Sequence, residues 1–425
     1  MGRAPSAFVQ SMDSFAFSKG SRFAVACSGG PDSMALVLLA QDWAKQQQCQ
    51  MTAITVDHGL RPESSTEAKQ IGKWLKKLNI NHVVLRWEGA KPTRNIQEQA
   101  RIARYRLMAE YCAAQSIPCL LTGHTLDDQA ETFLLRLARG SGVDGLSGMA
   151  KRQPLYGITL LRPLLEVPKA ELLAYLTAHK QPYISDPSNG NLRYDRVKMR
   201  TLLPQLSAVG LTAQRLAATA SAMRRARDFL EVETARFLHL HCHIHEAGYA
   251  VLSQLPENEE MALRVLAELV MCIGGHALRP RLDDLERLLH ALRQPAFKGA
   301  TLAGCLFAQH KGDTLILRET KAVEPPVALA KGKETLWDNR FLVTVTALPK
   351  GLWVGALTQP NWLDIARARK LCNPFPTKKI LYTLPALYNA KGALLGVPHL
   401  HLWMGKPFEC TVVFRQRPLL DAAQT

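Results

Sequence analysis

The chain has 425 residues, enough for two or three domains at roughly 100–200 residues each. Its 47% apolar and 21% charged content belongs to a globular protein that can bury real cores, and its net charge of +17 points to a polyanionic partner, nucleic acid before an anionic membrane surface. Nine scattered cysteines without a Cys-x-x-Cys pair argue against a disulfide framework, a zinc knuckle or a chain-borne iron–sulfur cluster, and no apolar run approaches the ~18–20 residues of a membrane span.

The same cysteine usage suits a reducing cytoplasm, which is the expected location. The N-terminus lacks the basic-then-apolar layout of a signal peptide. Met1-Gly2-Arg3-Ala4-Pro5-Ser6 fits the loose myristoylation pattern, which is read as coincidence.

Residues 22–185 alternate short apolar runs with helical patterns, the signature of an α/β doubly wound parallel sheet. Strands are expected at Phe23–Cys27, Met51–Val56, His82–Leu85, Pro118–Thr122 and Leu160–Pro163. Helices are expected at Ser33–Gln46, Ser65–Leu78, Ile96–Gln115 and Leu126–Arg139. Around Pro204 the pattern changes to a helical block that includes Leu211–Leu240, Met261–Met271 and Arg281–Leu292. Two short strands then flank a Lys311-Gly312-Asp313 turn. Residues 321–334 read as a linker, followed by a small strand-rich piece. Three domains are therefore expected, at 1–205, 206–320 and 331–425. Residues 321–425 hold 14 Lys+Arg against 6 Asp+Glu, which makes the last domain a candidate polyanion surface.

The stretch Ser28-Gly29-Gly30-Pro31-Asp32-Ser33 follows the first strand and opens the first helix. Free backbone N–H groups and the positive end of a helix dipole suit a phosphate there, with glycines allowing close approach. Ser28 and Ser33 add hydroxyl donors, and Asp32 could hold Mg²⁺. An ordinary strand-to-helix turn capped by Asp32 or Ser33 is the alternative. The spacing of the nucleoside-triphosphate P-loop and of the dinucleotide fingerprint is absent.

The second strand runs into Asp57-His58-Gly59-Leu60-Arg61, where backbone near Val56 could hold an adenosine; a polar turn with a capping Asp explains it equally well. In Gly123-His124-Thr125-Leu126-Asp127-Asp128-Gln129-Ala130-Glu131-Thr132, Thr125 can cap a helix with Asp128 at its third position. Asp128 and Glu131 then share a face, a pairing that suits Mg²⁺ binding or proton removal from an amine. Arg101 and Arg104 share a face of the third helix, and Arg139-Gly140-Ser141-Gly142 reads as a lid or an RNA-contact loop. Arg193–Arg200 is a basic run, either a contact surface or a solvated helix face. His239–His245 carries alternate histidines, read as a helix end rather than a metal site.

The loop at residues 28–33 resembles the Ser-Gly-Gly-x-Asp-Ser signature of the N-type ATP pyrophosphatases, the PP-loop family. With Val56–Arg61, Glu98–Tyr105, Gly123–Thr132, Arg139–Met149, Arg162-Pro163-Leu164-Leu165 and Asp186-Pro187-Ser188-Asn189, the chain resembles one branch of it, the tRNA(Ile)-lysidine synthetases. The resemblance implies a ligase that uses ATP and Mg²⁺ to adenylate the C2 carbonyl oxygen of the wobble cytidine in a CAU-anticodon isoleucine tRNA. The ε-amine of free lysine then displaces AMP to give lysidine, so that AUA is read in place of AUG.

By matching position, Ser28, Gly29, Gly30, Pro31 and Ser33 would hold the phosphates, and Val56 and His58 would lie beside the nucleotide. Asp32 and Asp128 would bind Mg²⁺, Glu131 would handle the metal or the lysine amine, and Arg101 would steady the phosphates or the activated base. Arg104, Arg139, Ser141, Arg196 and Arg200 would contact the tRNA. Val197 stands where the family usually has Asn, and the last domain is shortened around Leu371–Lys379. The nearest rival is a tRNA thiolase of the same fold, which would need paired cysteines. An amidotransferase-type synthetase would need a glutaminase partner, and a binding protein with a dead nucleotide fold would not retain both acidic motifs. The oligomeric state is open, a homodimer being one arrangement compatible with the sequence.

Overall fold

The computed structural model describes residues 3–60, 63–89, 95–185, 195–346 and 351–415. Arg61, Asp186-Pro187-Ser188-Asn189, Arg193 and Tyr194, singled out above, lie outside the described residues. The chain divides into two compact units, Met1–Arg227 and Asp228–Thr425.

In the first unit the elements run α1 (Arg3–Asp13), β1 (Arg22–Ala26), α2 (Pro31–Gln46), β2 (Gln50–Asp57), α3 (Ser64–Lys77), β3 (His82–Arg86), α4 (Ile96–Ala114), β4 (Cys119–Leu121), α5 (Leu126–Leu137) and α6 (Val143–Leu146). There follow β5 (Arg152–Leu155), β6 (Ile158–Leu161), α7 (Lys169–Ala178), α8 (Asp195–Ala208) and α9 (Ala213–His241), within which the division falls. The sheet order is β3-β2-β1-β4-β6-β5, parallel except for the β5–β6 pair. The four expected helices and five expected strands are present, with ends shifted by a few residues. Pro204, read as a boundary, lies inside α8.

Strand periodicity builds two cores from one sheet. Phe23, Val25 and Cys27 face one side with Cys119, Leu121 and Leu161, against α1, α2, α3 and α7. Ala24, Ile54, Leu120 and Leu160 face the other, against Tyr105, Met108, Ala109 and Cys112 of α4. Because both faces are covered, the strands read as continuous apolar runs. Each fully buried aliphatic side chain contributes about 1.5–3 kcal/mol. β1 feeds β2 on one side and neighbours β4 on the other, so the order reverses at β1. A crevice opens there beyond the carboxyl ends of the strands.

The second unit contains β7 (Cys242–His245), β8 (Tyr249–Leu252), α10 (Glu259–Gly274), α11 (Leu282–Leu292), β9 (Ala300–Leu302), β10 (Cys305–His310) and β11 (Asp313–Arg318). Beyond these lie β12 (Val327–Ala328), β13 (Thr335–Trp337), β14 (Phe341–Val345), β15 (Trp353–Ala356), α12 (Gln359–Arg369), α13 (Lys378–Leu381), β16 (Pro385–Tyr388), β17 (Leu394–Val397), β18 (Leu402–Trp403) and β19 (Cys410–Phe414). One core holds Leu266, Val270 and Phe307 together with Trp337, Phe341 and Leu387. The stretch 321–334, expected as a linker, is therefore part of the packing. Glu324 N–H donates to Asp338 Oδ1 at 3.0 Å, and Trp337 Nε1 donates to Pro325 O at 3.2 Å. Asp338 itself is fully buried between Arg318 and Arg340, at 2.8 and 2.6 Å. The histidine run is split between the end of α9 and β7, where the His245 ring stacks on Tyr249 at 4.7 Å. No cluster of three or more His, Cys, Asp or Glu able to hold a metal occurs among the described residues.

Candidate active site

A cleft of about 580 Å³ lies at the reversal of strand order, lined by the loop after β1, the end of β2, the start of α3, one face of α4 and Thr122–His124. Of the residues expected from the sequence, Ser28, Gly30, Asp32, Ser33, Val56, His58, Arg101 and Arg104 line it. Gly29, Pro31, Asp128, Glu131, Arg139, Ser141, Arg196 and Arg200 do not.

The loop is held from within. Ser33 Oγ donates to Gly30 O at 2.9 Å and accepts from Ser28 N–H at 3.2 Å, so this hydroxyl, expected to meet a phosphate, first shapes the turn. Gly29 has φ +82°, and a Cβ there would meet Ile71 Cδ1 at 2.6 Å and Ile184 Cδ1 at 2.9 Å. The reason for glycine at 29 is thus backbone conformation and packing, whereas a Cβ at Gly30 would make only ordinary contact. Gly123 has a different need: its Cβ would come to 3.0 Å from Asp32 O, so a bare backbone lets β4's exit lie against the start of α2. Thr55 Oγ1 donates to Cys27 O at 2.8 Å and pairs with His82 Nε2 at 2.8 Å. That chain fixes the end of β1 from β2 and β3.

Three carboxylates gather behind the loop, each with a different partner. Asp32, in the first turn of α2, meets Lys169 Nζ at 3.2 Å through Oδ2. Its Oδ1 is buried and accepts no hydrogen bond among the described residues. Burial raises the Asp32 pKa above its ordinary value; the Lys169 ammonium opposes this, and the Asp128 charge adds to it. Asp128 closes the expected capping box: its Oδ2 accepts from Thr125 N–H at 2.9 Å, and Thr125 Oγ1 accepts from Asp128 N–H at 3.3 Å. Glu131 is 1% exposed and its two oxygens accept from Arg200 Nε and Nη2 at 2.7 and 3.3 Å. Burial raises its pKa, with Arg200 opposing. Glu131 therefore holds α8 to α5 and does not face the cleft as expected. Asp127 accepts Lys169 N–H at 2.7 Å, which fixes the start of α7.

On the opposite wall, the Arg101 and Arg104 guanidiniums each lie 5.4 Å from the centre of the Tyr105 ring. Burial lowers the Arg104 pKa, but a guanidinium keeps its charge. His124 also lines the cleft; burial holds its pKa well below the usual value, so it is a neutral hydrogen-bonding group, 2.9 Å from Thr122 Oγ1 through Nδ1. Asp57 is occupied by Ser64 and Ser65, at 2.6 Å each, and ties β2 to α3. Arg196 Nη2 donates to Thr132 Oγ1 at 3.3 Å, so Arg196 and Arg200 both engage α5. Arg139 is exposed and Ser141 half-buried, on the loop from α5 to α6. Lys169, which meets Asp32 but does not line the cleft, was not singled out in the sequence, and Tyr105 and His124, which do line it, were quoted there only within their motifs. Only the Arg162-Pro163-Leu164-Leu165 motif just before α7 pointed towards the first.

The PP-loop domain family matches residues 5–206, a span that contains every cleft residue. The tRNA(Ile)-lysidine synthase of Wolbachia pipientis wMel is 40% identical over 331 residues, 76% of this chain and 76% of that protein. The chain belongs to the tRNA(Ile)-lysidine synthase family. The Bradyrhizobium diazoefficiens member is 42% identical over 294 residues, 66% of this chain and 80% of its own length. The Orientia tsutsugamushi member is 30% identical over 433 residues, 97% of each chain. Family likeness to this last relative thus extends through the second unit. ATP binding is the property the PP-loop domain brings, and the cleft lies within the matched span.

Proposed function

We propose that the chain ligates free L-lysine to C2 of the wobble cytidine in the CAU anticodon of tRNA(Ile), through an adenylated cytidine. The observation that carries this reading is the cleft at the β1 loop, with Asp32 on one side and Arg101 and Arg104 on the other, in a chain of this family. Backbone N–H groups at the start of α2 receive the phosphates, and the two guanidiniums neutralise charge that builds on the leaving pyrophosphate. The buried, unbonded Oδ1 of Asp32 fits a divalent cation. With no three-ligand protein cluster among the described residues, Asp32 and Asp128 would hold Mg²⁺ together with phosphate and water oxygens. When bound, Mg²⁺ offsets the charge of the triphosphate.

An amide-like carbonyl is a poor electrophile, and adenylation gives its oxygen a leaving group. Lysine must arrive as a free amine; where Asp128 does not serve Mg²⁺ it would take this proton, since Glu131 is committed to Arg200. The basic residues of the second unit supply a tRNA surface. A thiolase reading is disfavoured by the cysteines near the fold's core: burial pushes Cys27 and Cys112 up to about 11 and Cys119 to about 12, which holds them as unreactive thiols.

The test is incubation with ATP, Mg²⁺, radiolabelled lysine and unmodified CAU-anticodon tRNA(Ile). Label in the tRNA that requires both ATP and the wobble cytidine is expected. AMP and pyrophosphate without lysine transfer would replace the nucleophile and revive the thiolase.

A further inference from the structure

Lys169 stands where a lysine is electrostatically misplaced. It is the first residue of α7, at the positive end of that helix's dipole, where cations are disfavoured. Its backbone N–H is fixed by Asp127 Oδ2 at 2.7 Å, and the neighbouring Leu126 N–H donates to Val167 O at 3.0 Å, so the starts of α5 and α7 are tied together. From this anchored backbone the ammonium reaches Asp32 Oδ2 at 3.2 Å, in the first turn of α2. The side chain keeps 33% exposure and is not sealed into a structural pair. Asp32 in turn leaves its buried Oδ1 without a hydrogen bond among the described residues.

We propose that Lys169 is a further phosphate-binding residue, placed to contact the β and γ phosphates of ATP and then the pyrophosphate that leaves. This rests on the reading of the cleft as an ATP site and adds to it a residue from α7. One ammonium serves two charge states: with the cleft empty it satisfies Asp32, and with the triphosphate bound it lies at the rim of the α2 N-terminus where phosphate charge accumulates. A lysine suits this dual use because its charge is a point on a flexible stem, whereas an arginine fork is best matched to fixed bidentate partners. The ammonium stays protonated throughout, and no bond to it is made or broken.

The experiment compares binding of ATP, inorganic pyrophosphate and AMP to the full chain by calorimetry, for the wild type, Lys169→Met and Lys169→Arg. Lys169→Met is expected to weaken ATP and pyrophosphate about tenfold while leaving AMP within twofold. Lys169→Arg is expected to restore part of the loss; Lys169→Met should also lower the thermal midpoint of the empty protein, because Asp32 loses its cation, so the phosphate contact is read from the pyrophosphate-against-AMP difference and not from stability. A tenfold selective loss is about 1.4 kcal/mol, within reach of one charge-assisted contact. If Lys169→Met binds ATP and pyrophosphate as the wild type does, the proposal is overturned while the ATP site stands. A parallel loss of ATP and AMP also overturns it, because the residue then only shapes the cleft. A wild type that binds neither ATP nor pyrophosphate overturns the reading of the cleft, and this proposal with it.

Discussion

Glu131 and Arg200 meet through two parallel hydrogen bonds, 2.7 and 3.3 Å long, and this pair joins the helix carrying the acidic motif to the helix carrying the basic run. Arg200 is 42% exposed and Glu131 1%, so only the carboxylate has lost its water. Arg200→Met should therefore leave a buried, uncompensated charge. A fully buried pair broken this way costs about 3–5 kcal/mol; the exposed guanidinium brings the expected loss to about 2 kcal/mol. In urea unfolding, Glu131→Gln combined with Arg200→Met should cost less than the two single changes added. Strict additivity would mean the two side chains act independently.

Gly29→Ala would strain the loop twice, through φ +82° and through the 2.6 Å approach to Ile71. We expect a loss of about 1–3 kcal/mol and a matching fall in ATP affinity. Pairing it with Ile71→Val should recover the steric part and leave the conformational part. Failure of Ile71→Val to help would assign the whole effect to backbone conformation.

His82 gives the fold a pH dependence. Its pKa is lowered from 6.5 by burial, and Thr55, which donates to Cys27 O, must accept from Nε2–H of a neutral ring. A depressed folded pKa means that this stabilisation is complete above 6.5 and is lost as pH falls through the folded value. From about pH 7.5 to about pH 5, the wild-type melting temperature should drop more steeply than that of His82→Gln. Parallel slopes would remove His82 from the account.

These elements differ in how far the sequence disclosed them. The β1 loop was legible because an apolar run, two glycines and a helix start are local signals, and so was the Thr125–Asp128 cap. β5 was not: Arg152-Gln-Pro-Leu155 is an exposed edge strand interrupted by Pro154, and lacks the apolar alternation that marks a strand. Spacing placed Asp128 and Glu131 on one helix face but could not say that Arg200 would arrive against the second. Lys169 was hidden for the same reason, since its meeting with Asp32 depends on how α7 crosses α2. The stretch around Pro325-Pro326 looked like a linker because the Glu324 N–H and the Pro325 carbonyl find partners only in tertiary structure, at Asp338 and Trp337.

The basic surface of the second unit can be tested without cutting its shared core. Lys370, Lys378 and Lys379 are exposed on and beside α12 and α13. Their triple change to Ala should weaken tRNA binding and reduce the slope of log affinity against log salt by roughly 1 for each phosphate that is no longer neutralised. An unchanged slope would place the tRNA elsewhere.

Asp338→Ala should be far more damaging to the second unit than any surface change. It strands Arg318 and Arg340, whose side chains are 5% and 0% exposed, and we expect at least about 3 kcal/mol lost. Thermal unfolding followed by tryptophan fluorescence, with Trp337 in the same core, reads the change directly. A shift no larger than that of a surface variant would discount the cluster.

The same buried cluster bears on how the protein is made. Arg318 and Arg340 donate to carbonyls of Gly274, Ala322, Gly248 and Thr383, positions spread over most of the second unit. On the ribosome, Arg340 emerges before the strand region that supplies Thr383 O, so the knot cannot close until nearly all of the chain has been translated. The first unit can condense while synthesis continues, and so can the sheet and helices of residues 242–318, whereas the buried cluster is completed only late. A nascent chain stalled short of residue 383 would leave the second unit a ready target for chaperones and proteases.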